Sequence, residues 1–106
     1  MSFINLDQQE EKELVPGYHV KFVHTNNMTF AYWRIEEGAA LPNHSHHHEQ
    51  VVNLIEGRFA LTLNSETREL EPGTVVLIPP NVSHKGKAIT PCRIIDVFHP
   101  VREDYK

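Results

Sequence analysis

Turn-forming residues divide the chain into short segments, and their regular spacing limits the folds that the chain can adopt. Pro, Gly and Asn recur from Pro16-Gly17 to Pro100, and the segments between them are rich in β-branched and aromatic residues. Six of these segments read as strands: 18–24, 28–35, 50–57, 58–63, 74–80 and 92–99. Short strands separated by turns are typical of an all-β sandwich or barrel. We therefore expect an all-β fold in which residues 1–106 form a single domain.

The order of side chains within two of these segments predicts how they are buried. In segment 92–99, alternation places Ile94, Asp96 and Phe98 on one face of the strand. A carboxylate between two apolar residues either faces solvent or is buried for a purpose, and the alternation leaves both readings open. Segment 74–80 is apolar almost throughout, which predicts a strand covered on both sides.

Charge and composition exclude several classes of partner. The formal net charge is −4, and Lys and Arg form no cluster along the chain. Nucleic acid and anionic membranes require a basic face, so neither is expected as a partner. The N-terminal residues 1–14 are acidic and lack the apolar stretch of a signal peptide, and no apolar run approaches the length of a membrane span. The single Cys92 cannot form an intramolecular disulfide, which favours a cytoplasmic location.

A cluster of histidines marks the most unusual stretch of the sequence. His44 and His46 are separated by one residue, so on an extended strand their side chains share a face. Gln50 follows four positions later, and His84 comes after a Pro-Pro-Asn turn. Three imidazoles and an amide oxygen could hold a divalent transition metal and keep open positions for a substrate. Surface histidines in a polar loop are the alternative, and the spacing alone does not decide between the two.

The glycine-bracketed spacing of these residues resembles the two motifs of the cupin superfamily. The first motif consists of Gly38, His44, His46, Gln50 and Gly57, and the second of Gly73, Pro79, Asn81 and His84. Cupins usually have a glutamate where Gln50 stands and a glycine where Asn81 stands. The resemblance implies a jelly-roll β-barrel with the metal inside it, and a neutral ligand at Gln50 would leave more positive charge on that metal.

Three further segments, 44–59, 78–84 and 96–106, extend the similarity to the KdgF-type pectin-degradation cupins. Members of that group linearise 4,5-unsaturated uronate monosaccharides that polysaccharide lyases release from pectin or alginate. The resemblance implies that His44, His46, Gln50 and His84 bind one divalent metal ion (Ni, Zn, Mn or Fe). It implies also that Asp96, Phe98 and Arg102 are active-site residues. His47 and Ser83 stand where relatives usually have proline, and His47 leaves open which imidazole the metal meets.

Each predicted active-site residue also has an ordinary structural interpretation. Phe98 could be plain core rather than a wall for a sugar ring. Arg102 could be an exposed surface arginine rather than a bidentate clamp on a substrate carboxylate. For His47 and His48, roles around the metal ligands or at the surface are more plausible than direct ligation.

Two other functions compete with uronate linearisation, and the assembly state can also be predicted. A cupin dioxygenase using Fe or Cu would need the same histidines, and a non-catalytic sugar-binding cupin would need no acid or base. We expect a homodimer, with residues 2–6 as a candidate edge strand.

Overall fold

The computed structural model describes residues 1–106, which form ten β-strands and two single-turn 3-10 helices at Leu6–Gln8 and Glu103–Tyr105. The strands are β1 (Lys12–Val15), β2 (Tyr18–His24), β3 (Thr29–Ile35), β4 (Ala40–His44), β5 (Glu49–Glu56), β6 (Phe59–Leu63), β7 (Glu66–Leu70), β8 (Val75–Ile78), β9 (His84–Ala88) and β10 (Cys92–His99). The expected all-β class is therefore confirmed. No helix has the length and apolar character needed to cross a membrane.

The strands form two antiparallel sheets that face each other as a jelly-roll sandwich. One sheet has six strands in the order β1-β2-β3-β10-β5-β8, and the other has four in the order β4-β9-β6-β7. The predicted barrel is correct as a jelly roll, but no backbone ladder joins the two sheets, so they are not closed into one continuous barrel. The long strand β10 lies between β3 and β5, at the centre of the larger sheet.

All six predicted strands are present, and four more strands lie outside the six predicted segments. These additional strands are β1, β4, β7 and β9, which read KELV, ALPNH, ETREL and HKGKA. They contain few β-branched or aromatic residues, and their conformation comes from pairing with neighbours in the sheet rather than from their own propensity. Residues 2–6, expected as an edge strand, contain no strand in the structure of the single chain.

The predicted burial of segment 74–80 on both sides is wrong. Strand β8 is an edge strand of the larger sheet, and Val75 and Leu77 are 55% and 70% exposed. The opposite side of the strand is the covered one, because Ile78 is buried in the core. A continuous apolar run does not distinguish a doubly covered strand from an edge strand that exposes an apolar face.

The core fills the space between the inner faces of the two sheets. It contains 15 buried hydrophobic residues, and β10 contributes Cys92, Ile94 and Phe98 at alternate positions. Asp96 occupies the remaining inward position of β10, so the structure decides in favour of the buried carboxylate. The polar residues of this interior are concentrated at one end of the sandwich, around the start of β9 and the end of β10.

The β5–β6 turn shows why one of the motif positions is glycine. Gly57 has φ +91°, a left-handed conformation that favours glycine. A Cβ atom at Gly57 would also collide with the Pro91 carbonyl oxygen. This turn connects β5, which belongs to the larger sheet, to β6, which belongs to the smaller one.

Candidate metal centre and active site

Backbone pairing at one end of the sandwich brings three histidines together. His44 is the last residue of β4 and His84 is the first of β9, and the two are direct partners in the ladder between these strands. His46 lies beyond the end of β4, in the loop before β5. The prediction that His44 and His46 share one face of a strand is therefore wrong. Nevertheless, one ring nitrogen from each of the three residues lies within 4.8 Å of the others. The three imidazoles predicted as metal ligands are therefore adjacent.

In each of the three imidazoles, Nδ1 lies within hydrogen-bond distance of a backbone carbonyl oxygen. Nδ1 of His44 contacts the Pro42 carbonyl oxygen at 2.9 Å, and Nδ1 of His84 contacts that of Val82 at 2.9 Å. Nδ1 of His46 contacts the His48 carbonyl oxygen at 3.1 Å. A carbonyl oxygen only accepts hydrogen bonds, so each neutral ring carries its proton on Nδ1 and has a free lone pair on Nε2. Metal-binding histidines are oriented by this kind of contact.

Two Nε2 atoms are in surroundings that suit a cation. Nε2 of His84 is buried without a hydrogen-bond partner. Nε2 of His46 lies 3.1 Å from Oε1 of Gln50. Burial, followed by the positive charge of Arg102, lowers the pKa of His46 to about 4, so this ring is neutral at physiological pH. With the proton on Nδ1, two acceptors then face each other, an arrangement that a cation bound to both would stabilise. The donor set fits a divalent transition metal.

Gln50 joins the histidine cluster to the carboxylate of the interior. It is buried on β5, where its backbone pairs with Phe98 of β10. Its side-chain oxygen faces His46, and its amide group lowers the pKa of Asp96. Gln50 therefore lies between the two parts of the site, with its amide oxygen toward His46.

Asp96 is a buried carboxylate with one oxygen engaged and one free. Its Oδ2 accepts a hydrogen bond from the indole Nε1 of Trp33 at 3.0 Å, whereas its Oδ1 has no partner. Burial raises the pKa of Asp96 to about 7, against the opposing effects of the Gln50 amide, the Trp33 indole and the Arg102 charge. A carboxyl group with such a pKa can both accept and donate a proton near neutrality.

Phe98 and Arg102 complete the site from the end of β10 and the segment after it. Phe98 is buried, and its ring lies edge-on to that of His46 with centroids 5.7 Å apart. Arg102 is buried too, contrary to the surface interpretation, and its guanidinium carbon lies 4.8 Å from the Phe98 ring centroid. The Nε and Nη2 atoms of Arg102 are already bound by the two carboxylate oxygens of Asp104. The predicted clamp therefore cannot use this edge of the guanidinium while Asp104 holds it.

The remaining histidines of the cluster differ in their surroundings. His47 is exposed, and its ring is tilted against that of His48, with centroids 3.9 Å apart. His48 is buried, and its Nδ1 has no hydrogen-bond partner. Neither residue belongs to the group of ring nitrogens formed by the three clustered histidines.

One cavity at the end of the sandwich contains the predicted metal ligands and active-site residues. Its volume is about 520 Å³ when the solvent space of its open mouth is counted, and 10 of its 18 lining residues are hydrophobic. The predicted site residues that line it are His44, His46, Gln50, His84, Asp96, Phe98 and Arg102. Sequence reasoning missed the contributions of Asp104 and Tyr105, because nothing in an acidic, exposed C-terminal segment marks a residue that holds another in place. The hydrogen bond from Trp33 to Asp96 was missed too, because it depends on the β3–β10 pairing, which the sequence does not reveal.

Comparison with known proteins agrees with this architecture. The family described as "Cupin domain" matches residues 31–98. The solved structure of KdgF from Halomonas sp. is 30% identical, with a TM-score of 0.93, and the match covers 99% of this chain and 100% of that one. An RmlC-like cupin from Shewanella frigidimarina is 26% identical, with a TM-score of 0.94, over 100% of this chain and 96% of that one. An uncharacterized protein of Streptomyces coelicolor is 29% identical over 94% of this chain and 97% of its own length.

Proposed function

This chain belongs to the cupin family and resembles KdgF, and on that premise we propose that it is an enzyme that linearises 4,5-unsaturated uronate monosaccharides. The substrates are the monosaccharides that polysaccharide lyases release from pectin or alginate. The whole chain, residues 1–106, acts as one cupin domain, and the reaction takes place in the cavity at the end of the sandwich.

The observation that carries this proposal is the presence of a buried carboxylate beside the histidine cluster. A site that only bound a metal or a sugar would not need a carboxyl group whose Oδ1 is buried and unpartnered, because an unsatisfied buried polar atom costs stability. Asp96 has such an oxygen, and it lies in the same cavity as the three histidines. A proton-transfer reaction gives this carboxyl group a use.

The reaction is an isomerisation that moves one proton within the substrate. The proton of the C1 hydroxyl group leaves, the bond between C1 and the ring oxygen breaks, and C1 becomes an aldehyde. The ring oxygen becomes an enol at C5, and the enol becomes a ketone when C4 gains a proton. No oxidant or reductant is required. The catalyst has to bind the carboxylate, stabilise negative charge on the enol oxygen and transfer protons.

The residues of the cavity can be assigned to these tasks. Asp96 accepts and returns the proton through its free Oδ1, while the Trp33 indole holds its Oδ2. Arg102 binds the substrate carboxylate through Nη1, the guanidinium nitrogen that has no protein partner. Phe98 forms an apolar wall beside the sugar ring. A divalent ion held by His44, His46, His84 and Gln50 would supply Lewis acidity toward the carboxylate and the ring oxygen.

The test is to incubate metal-loaded protein with freshly prepared lyase-generated unsaturated galacturonate. We expect the ultraviolet absorbance of the conjugated enol ether to fall faster than with chelator-treated protein, and dissolved oxygen to stay constant. Oxygen consumption would instead identify a dioxygenase. Binding without any acceleration would identify a sugar-binding protein, and either result would refute the proposed function.

The proposed location is the cytoplasm. The single Cys92 is buried as a free thiol, and its Sγ contacts the carbonyl oxygens of Arg58 and Thr90. A small domain stabilised by its core rather than by disulfides suits a reducing compartment.

A further inference from the structure

We infer that Asp104 is a positioning residue that orients Arg102 for the substrate carboxylate and thereby sets the preference for an acidic sugar. The inference rests on the proposed function, because it assumes that Arg102 binds that carboxylate. It concerns a residue outside the cupin motifs, in the 3-10 turn that follows β10.

The contact between Asp104 and Arg102 is bidentate. Arg102 donates from Nε to Oδ1 of Asp104 at 3.0 Å and from Nη2 to Oδ2 at 2.7 Å. Two parallel charge-assisted hydrogen bonds fix the direction of a planar guanidinium group more strictly than one contact can. The side-chain hydrogen bonds from Arg102 in turn lower the pKa of Asp104, so the carboxylate stays ionised around neutrality.

Two aromatic rings lie against the same guanidinium group. Its central carbon lies 4.0 Å from the ring centroid of Tyr105 and 4.8 Å from that of Phe98. Tyr105 is itself stacked on Phe22, with ring centroids 4.7 Å apart. The backbone N–H of Arg102 donates to Oγ1 of the buried Thr29 at 2.9 Å. The two rings enclose the group from two directions, and Asp104 fixes the direction of its Nε–Nη2 edge.

Exposure shows on which side of Arg102 this carboxylate lies. The Arg102 side chain is 8% exposed, whereas that of Asp104 is 57% exposed. Asp104 therefore takes the Nε–Nη2 edge from the solvent side, and Nη1 remains without a protein partner. Because Arg102 lines the cavity, this arrangement leaves the Nη1 end of the guanidinium for an anionic ligand.

An opposite role for Asp104 would give an opposite experimental result. Its carboxylate could act as an internal competitor that occupies Arg102 until a substrate displaces it. Removing a competitor would improve substrate binding, whereas removing a positioning residue weakens it. The direction of the change in KM thus separates the two roles.

The experiment compares Asp104→Asn and Asp104→Glu with wild type on two substrates, unsaturated galacturonate and its uncharged methyl ester. The matched control is Glu103→Gln, which removes a neighbouring exposed carboxylate whose only side-chain contact is with Lys106 at 3.4 Å. For Asp104→Asn we expect KM for the acid to rise by on the order of tenfold with kcat nearly unchanged. KM for the ester should not change, Asp104→Glu should recover part of the loss, and Glu103→Gln should behave as wild type.

Three results would overturn the inference. They are a lower KM for the acid in Asp104→Asn, equal losses on acid and ester, and no change on either substrate. Equal losses would indicate a merely structural role, and thermal unfolding of each variant provides an independent check of folding. Failure of the proposed function is distinguishable, because wild-type protein would then accelerate neither reaction.

Discussion

The indole of Trp33 and the carboxylate of Asp96 form a hydrogen bond of 3.0 Å between neighbouring strands of the larger sheet. The bond satisfies one oxygen of a buried carboxyl group and leaves the other oxygen without a hydrogen-bond partner. The proton-transfer role assigned to Asp96 depends on this asymmetry, because one oxygen holds the group in place while the other can exchange a proton.

Replacing Asp96 with asparagine separates chemistry from structure. The amide can still accept the Trp33 hydrogen bond, but it cannot transfer a proton. We expect turnover of unsaturated galacturonate to fall by on the order of 10²-fold or more, with metal content and folding near wild type. Arg102→Ala is the comparison, since it should act mainly through a higher KM. An Asp96→Asn variant that turns over at the wild-type rate would refute the assignment of Asp96.

The same substitution should change how stability depends on pH in the metal-free protein. The pKa of Asp96 is about 7 in the folded chain and near 3.8 as a free side chain, so the folded state binds more protons between these values. Ionisation of Asp96 therefore lowers the free energy of unfolding as pH rises from about 4 to about 7. The loss is about 1.4 kcal/mol for each unit by which the folded and unfolded pKa values differ. In urea unfolding of chelator-treated protein, the free energy of unfolding of Asp96→Asn should rise relative to that of wild type over this range. Above about pH 8, the difference between the two free energies should be constant. A difference in the free energy of unfolding that is independent of pH would contradict the raised pKa of the buried Asp96 carboxyl group.

Metal retention should depend on the three clustered histidines and not on their neighbour. Alanine at His44, His46 or His84 removes one Nε2 donor from the cluster, and we expect each variant to lose most of its bound metal. His47→Ala is the matched control, because His47 is exposed and lies outside the cluster. Elemental analysis after desalting measures the outcome. Full retention in all three cluster variants would mean that the metal binds elsewhere.

We expect the protein to be a homodimer in solution. Large apolar side chains are exposed on the single chain, among them Phe3 and Ile4 in the N-terminal segment and Leu77 on the edge strand β8. Exposed apolar groups and an unpaired strand edge are features that a second copy can cover. Light scattering at micromolar concentration should give twice the chain mass of 12.2 kDa. A monomer mass would rule out the dimer.

The sequence predicted the strands that are rich in β-branched and aromatic residues, because these side chains favour an extended conformation. The segment 92–99 coincides with β10, and its alternation correctly placed Ile94, Asp96 and Phe98 together. The sequence did not predict β9, which reads HKGKA, because sheet pairing rather than residue type makes this stretch extended.

Local spacing also carried less information about the site than the fold did. His44 and His46 do not share a strand, and His44 reaches His84 only because β4 pairs with β9. Asp104 holds Arg102 through a contact between residues two positions apart, which no motif or periodicity marks. Contacts that depend on strand pairing, or on a single turn at the end of the chain, are not predictable from the sequence.

Proton NMR of the reaction mixture tests the central claim most directly. Unsaturated galacturonate has one vinyl proton at C4, and the linear keto product has a CH2 group there. With metal-loaded wild-type protein we predict that the vinyl signal is replaced by CH2 signals of the open-chain product, without oxygen uptake and faster than in the Asp96→Asn variant. A vinyl signal that decays at the same rate with wild-type protein and with buffer alone would contradict the proposed linearisation.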